Sequence, residues 1–530
     1  MKNFDELTTL LHTGRIDRRT FLSRAAALGA TTAMATSLLS KAGQAATPKK
    51  GGHFRIGIGH GSTTDSLDPA TFENAFTQFT GMGFRGHLTE VAASGEIVPD
   101  LCEFWDATPD AATWTFKLRQ GVEFHNGKTM DADDVVASVN HHRGEDSKSA
   151  AKAILEPITD IKTDGKDTVT FTLREGNADF PFLMSDYHIA IMPAKDGGVD
   201  WQSGVGTGAF TMEHFEPGVR MELKKFANFY KPNFGHFDSC ESLAIIDAAA
   251  RTNALTTGEI DAMDRVDIKT VHLLKRRPDV RVEETSGTAH FTFAMRCNQE
   301  PFKNNDVRLA LKYGLDREAL LQAVLRGHGV LGNDHPIGRS NRYHADDLPQ
   351  RTYDLDKAKF HMKKAGLTSL TVDLSAADAA FAGAVDAAVL YKEHAAPAGI
   401  EINVVREPND GYWSNVWMKK GWCAVYWGGR PTEDWMFSTA YAKGAAWNDS
   451  FWEHEKFNQM LVAARSELDE AKRRDMYVEM QRIVSDEGGV VVPMFNNYVF
   501  AMNKKVQHNE MGANWALDGL KGMERWWFDG

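Results

Sequence analysis

Apolar and polar positions alternate in short bursts through the first half of this chain. Phe54-Arg55-Ile56-Gly57-Ile58-Gly59 predicts a strand that opens into a loop over 60–68, closed by Pro69. Trp114-Thr115-Phe116-Lys117-Leu118-Arg119 alternates as a half-buried strand does. Gln120-Gly121 then turns it into Val122-Glu123-Phe124-His125, and Asn126-Gly127 makes another turn, so a β meander is expected. Asp131 and the acids Asp133 and Asp134 suit the positive end of a helix over 135–142. Further strands are expected at 169–173 and as a pair at 209–215 and 221–224. In the second half the period changes. A strand at 291–297 leads to a helix capped by Asn305-Asp306 and running through 313, and then to one capped by Asp316 and running to 325. Amphipathic helices are expected at 353–365 and 449–484, with core strands at 370–374, 400–405 and 423–427. Strand and helix alternating this way predict a parallel α/β lobe. No period of about 20–50 residues recurs, which excludes solenoids and propellers.

Ahead of this pattern stands a different one. Arg18-Arg19-Thr20-Phe21-Leu22 precedes a modestly apolar run at 25–39 and small residues around Gly43, Ala45 and Ala46. The twin arginines and the small residues read as an export signal of the twin-arginine type, cut near Ala45 or Ala46. The run is too short for a membrane span, and the first cysteine, Cys102, lies too far along for a lipid anchor at the cut. Removing residues 1–46 takes away six Lys/Arg and three Asp/Glu and leaves 54 against 69, or −15, over 484 residues. That balance argues against nucleic acid or an anionic membrane as partner. A hydrophobic content of 42% is ample for cores in two or more lobes. Cys102, Cys240, Cys297 and Cys423 include no Cys-x-x-Cys pair; they read equally well as one bridge or as free buried thiols.

Catalytic signatures fail on spacing. Gly121 is one residue too far from Gly127-Lys128-Thr129 for a phosphate loop, and there is no nucleophile elbow, zinc helix or dinucleotide fingerprint. Adjacent His141 and His142 point to different helix faces. No enzyme chemistry, cofactor or metal is expected. What stands out is the concentration of aromatics over 412–452, including Tyr412, Trp413, Trp417, Trp422, Tyr426, Trp427, Trp435, Trp447 and Trp452. Rings with an apolar body and a polar edge suit the wall of a wet ligand cavity.

An ordered series of segments then resembles the extracellular solute-binding proteins of ABC importers, family 5, which includes dipeptide and oligopeptide binders. Leu88-Thr89-Glu90, Pro99-Asp100-Leu101 and Phe104-Trp105 match the opening of that family. Val122 to Lys128 and Ala132-Asp133-Asp134-Val135-Val136 match its next signature. Gly206-Thr207-Gly208-Ala209-Phe210, Gly258-Glu259-Ile260-Asp261, Pro301-Phe302, Asp306-Val307-Arg308, Leu315-Asp316-Arg317-Glu318 and Val492-Pro493-Met494-Phe495 follow in the same order. The resemblance implies an α/β, two-lobed periplasmic-binding-protein fold of the large class, closing on a ligand at a hinge. Lobe I would comprise 47–293 with a β-rich subdomain at about 81–200, lobe II 294–493, and 494–530 would return to lobe I. It also implies a monomeric receptor that hands a small polar solute, a short peptide or amino-acid derivative, to an inner-membrane permease. An opine, a metal chelate or an oligosaccharide is the alternative in the same role, and an exported enzyme a further one.

Peptide binders of the family hold the ligand amine with an acid after a Trp-x-Gly segment. Here Trp427-Gly428-Gly429-Arg430-Pro431-Thr432-Glu433-Asp434 resembles the Trp-Ser-Gly-Arg-Pro-Asp-Pro-Asp variant instead. An arginine fork there favours a carboxylate, with Asp434 holding an amine or bracing Arg430. By resemblance Ser62, Thr63 and Thr64, and the turn Gly206-Thr207-Gly208, face the cleft. Arg296 and Asn298 are placed near the hinge, and Tyr412 and Trp413 join the aromatic wall.

Overall fold

The computed structural model describes residues 48–529 apart from 146, 148, 410 and 411, so the export segment read from 1–46 lies outside the described residues. Its backbone is an eleven-stranded sheet. The order is Phe210–Glu216, Arg220–Lys225, Ser239–Ala244, His53–Ile58, Ala262–Met263, Val490–Asn503, Val280–Met295, Trp422–Trp427, Leu370–Ala376 and Ile400–Arg406, with Gly329–Leu331 paired to Val490–Asn503.

Two strands of this sheet are shared by both lobes. Residues Val280 to Ser286 pair with Asn503 to Asn497 beside the first lobe, and His290 to Ala294 pair with Phe495 to Val490 inside the second. The register breaks between Ser286 and His290. A Cβ on Gly287 would lie 2.5 Å from the Asn496 carbonyl, so the two backbones approach too closely there for any larger residue. The break in pairing thus falls at 287–289, opposite 496. The strand expected at 291–297 is the second half of a sixteen-residue strand, Val280–Met295.

The second lobe is a mixed sheet rather than the parallel one expected. Leu370–Ala376 runs parallel to Ile400–Arg406 and, through Ser375 and Cys423, to Trp422–Trp427. The shared strands enter and leave the lobe in opposite senses, so their pairings are antiparallel. The helix expected over 449–484 is two, Glu455–Ser466 and Glu470–Glu487, because Glu467 leaves the helical backbone and Asp469 caps the second by accepting from the Ala471 and Lys472 N–H groups.

The meander of the first half is a four-stranded antiparallel sheet in the order Cys102–Ala107, Thr113–Leu118, Thr168–Leu173, Ile158–Asp164. The segment 122–125 is not one of its strands. It makes a single bridge, Glu123 to Thr129, and is turned instead toward Gly206. Asp131 and Asp134 form a reciprocal capping box on the helix Ala132–His141.

Each region has its own apolar core. The subdomain is built on Trp114, Phe116, Phe171 and Phe180, and the second lobe on Phe293, Tyr391, Trp422 and Tyr477. The first lobe joins both ends of the described chain, Phe54 stacking on Phe237 at 4.7 Å and meeting Trp526 edge-on at 6.0 Å. All four cysteines are unpaired. No helix among the described residues is long and apolar enough to cross a membrane.

Candidate functional site at the meeting of the lobes

Strand ends put two sets of loops beside the crossing. His53–Ile58 and Ala262–Met263 are parallel, with Gly57 opposite Met263, so the loops after both emerge at one end of the first lobe. Trp427 lies opposite His290, so the loop after Trp427 emerges at the crossing from the second lobe. Ligands of open α/β sheets collect at such carboxyl ends.

In the second-lobe loop, Gly429 is pressed onto the crossing; a Cβ there would lie 1.6 Å from Thr288 Oγ1. Arg430 donates from Nη1 to the carbonyls of Gly428 at 3.0 Å and Gly429 at 3.3 Å, and its own carbonyl accepts from Asn341 Nδ2 at 3.3 Å. No carboxylate among the described residues pairs with it. Burial lowers the pKa of its guanidinium, and the Tyr187 phenol of the first lobe acts against that shift. Tyr187 meets Trp515 edge-on at 5.5 Å. His290, buried beneath the loop, is pushed down to about 4 by desolvation and is neutral, with Nε2 unpartnered. Tyr498, beside Thr288, and exposed Arg265 complete the inner end. Outward, Asn341 opens onto a groove of about 620 Å³ lined from the first-lobe side by Gly95, Glu96 and Asn514 and from the second by Arg339, Arg342 and His344.

The lobes also meet in a seam with a buried ion pair. Asp179 Oδ1 of the subdomain accepts from Arg473 Nη1 of the second lobe at 2.8 Å, both side chains nearly fully buried, and the Ala178 N–H donates to the Arg465 carbonyl at 2.7 Å.

The residues expected in the site scatter. Trp427, Gly428, Gly429 and Arg430 do stand together at the crossing. Ser62 is fastened by its N–H to Asp65 and leaves Thr63 and Thr64 exposed at the first-lobe end. The turn Gly206-Thr207-Gly208 is buried inside the first lobe rather than in the cleft. The Gly206 N–H donates to His125 Nδ1, the Gly208 N–H donates to the Phe84 carbonyl, and a Cβ on Gly206 would lie 2.1 Å from that same carbonyl. Close approach was the right reading of these glycines, but the approaching backbone is the protein's own. Arg296 and Asn298 lie at the other end of the long strand, six and eight residues beyond His290, roughly 20 Å away for an extended chain. There Arg296 covers the Phe451 ring at 4.3 Å, and Asn298 lines a separate groove with Lys303 and Met418. Tyr412 is a core residue whose hydroxyl donates to the carbonyls of Ser375 and Ala424; Trp413, beside it, is exposed.

Asp434 neither braces Arg430 nor stands free. It accepts from Arg465 Nε at 3.1 and 3.2 Å, and burial raises its pKa against that pull. Tyr187, Thr288, Asn341 and Tyr498 escaped the sequence reading. Gly287, a lone glycine in a strand-like stretch, was the one available signal for the crossing beside it.

Comparison with known proteins bears on this geometry. Residues 96–449 match the model described as bacterial extracellular solute-binding proteins, family 5 middle. The chain is 25% identical over 455 residues to the dipeptide-binding protein of Escherichia coli strain K12, covering 78% of this chain and 83% of that protein. Among solved structures, HbpA2 from Haemophilus parasuis shares the fold with a TM-score of 0.79 at 20% identity, covering 88% of this chain and 99% of the other. The ABC transporter-associated periplasmic binding protein DppA from Helicobacter pylori, in complex with the peptide STSA, shares it with a TM-score of 0.69 at 21% identity over 91% and 99%.

Proposed function

Because the chain belongs to the bacterial extracellular solute-binding proteins of family 5, we propose that it is the periplasmic receptor of an ABC importer for a small carboxylate-bearing solute, a short peptide or amino-acid derivative. It captures the solute between the lobes, performs no chemistry on it and, as a monomer, presents it to an inner-membrane permease. The twin-arginine pattern at Arg18-Arg19 and the small residues before Thr47 support export to the periplasm and removal of the leader near Ala45 or Ala46.

The observation that carries the reading is Arg430, a half-buried guanidinium at the crossing whose acceptors among the described residues are two neighbouring carbonyls. A carboxylate arriving in the cleft offers it a bidentate partner stronger than either carbonyl. Its position beside Gly429 and Thr288 ties that bond to the strands along which the lobes pivot, so closure and capture favour each other.

The test joins retention to mutation. Native mass spectrometry of the purified protein, followed by denaturing release, should yield a carboxylate-bearing solute. Arg430→Ala should weaken its binding by about 2–5 kcal/mol in titration calorimetry. A retained neutral sugar, or unchanged affinity in the variant, overturns the reading.

A further inference from the structure

A second charged group on the same lobe has been left without a counterion. Asp449 is 3% exposed, and among the described residues no lysine, arginine or histidine forms an ion pair with it. Its carboxylate is held by neutral donors: Trp417 Nε1 donates to Oδ2 at 3.1 Å, and the Trp427 indole and the Asp449 and Ser450 N–H groups favour its charged form from close by. Burial lifts its pKa to about 6, so at neutral pH it is still an anion. A buried carboxylate with only neutral donors is costly.

Trp417 and Trp427 pack on each other and both on Trp447. The centroids of Trp417 and Trp427 are 6.4 Å apart with planes at 69°, those of Trp417 and Trp447 are 6.3 Å apart at 67°, and those of Trp427 and Trp447 are 6.2 Å apart at 50°. Trp447 is 49% exposed, unusual for so large an apolar ring. An indole face attracts a cation. Donating its N–H to a carboxylate pushes electron density into the ring and strengthens that attraction, while the carboxylate adds its own field from behind. The three rings touch, so a guest is admitted by rotation of Trp447, the exposed one.

We propose that Trp417, Trp427 and Trp447, with Asp449 behind them, form a subsite for an organic cation, an ammonium or quaternary ammonium group. Trp427 begins the segment that ends in Arg430, about 10 Å of chain away at most. The subsite thus deepens the reading above and rests on it for its biological ligand: the solute would be a zwitterion, its carboxylate on Arg430 and its cationic end among the indoles. It also moves amine recognition from Asp434, which is already spent on Arg465, to a carboxylate that is not.

Tetramethylammonium chloride, titrated at constant ionic strength against the whole protein, tests the subsite without knowledge of the natural solute. Tryptophan emission should change saturably, and the neutral isostere 3,3-dimethyl-1-butanol should not reproduce the change. Asp449→Asn and, independently, Trp447→Ala should each weaken the response at least fivefold. Because Trp447 is exposed, its variant keeps the test informative if Asp449→Asn perturbs folding. An isostere that binds as well as the cation, a response indifferent to both variants, or no saturable response overturns the proposal. A cation response that survives while the released solute lacks a carboxylate removes the Arg430 reading alone.

Discussion

Asp434 and Asp449 lie fifteen residues apart on one lobe, Asp449 buried and Asp434 largely so, both with carboxyl groups pushed toward the neutral form by desolvation. They differ in what answers them. Asp434 meets the Arg465 guanidinium, next to the seam that Asp179 and Arg473 close between subdomain and second lobe. Asp449 meets the Trp417 indole N–H, with the Trp427 indole and backbone N–H groups near it, and no cation among the described residues. The difference separates two uses of buried charge: a pair completed inside the protein fixes geometry, whereas a charge left incomplete is a standing preference for a cationic guest. Only the second is informative about ligand chemistry, although Asp434 is the one that sequence similarity singles out.

The sharpest way to break the contrast is to make the first carboxylate resemble the second. Arg465→Ala leaves Asp434 unanswered and should cost about 3 kcal/mol of unfolding free energy, the lower end for removing one partner of a buried pair, because Arg465 keeps about a quarter of its side chain in solvent, measured by denaturant titration. A loss below about 1 kcal/mol would place Asp434 in solvent's reach and erase the distinction.

Next in size is the cost of keeping Asp449 charged. Its folded pKa of about 6 stands above the ordinary 3.8, so the native state binds the proton more tightly. The stability this provides is complete below pH 4 and is lost as pH rises through 6, by on the order of 3 kcal/mol. Asp449→Asn should remove this term. Relative to the parent, the variant should gain thermal stability progressively between pH 4 and pH 6.5, and a difference that is flat with pH would contradict the assignment.

The smallest effect calibrates the other two. Tyr412→Phe removes a buried hydroxyl whose acceptors are both backbone carbonyls. It should cost about 1 kcal/mol in the same denaturant titration and leave solute affinity unchanged.

Much of this architecture was legible because local chemistry states it. Asp131, Asp316 and the alternation around Trp114 mark elements whose ends the structure reproduces within a residue or three. The crossing was not legible. In Val280-Arg281-Val282-Glu283-Glu284-Thr285-Ser286 only the two valines are apolar, and they face a small cluster with Val499 and Ala501 rather than a large core. Apolar alternation alone therefore starts the strand at 291, which sets Arg296 beside the crossing, whereas the strand runs from Val280 and puts Arg296 beyond its far end. Glycines 206 and 208 misled for a related reason: sequence records that something must come close, not whether it is ligand or the carbonyl of Phe84. Asp449 was absorbed into a charged helix that in fact begins six residues later, at Glu455.

The sharing of strands also orders the protein's birth. The core of the first lobe needs Phe54 and Phe237 early in the chain but also Phe500, Met523 and Trp526 near its end. At a ribosome adding about 5–20 residues per second, Phe237 waits roughly 15–60 s for Trp526 to emerge. The second lobe, whose core is drawn from 293–495, is finished first. The lobe begun first is therefore the last to close, and a chain cut short by even its final few residues loses the keystone of that lobe while leaving the other whole.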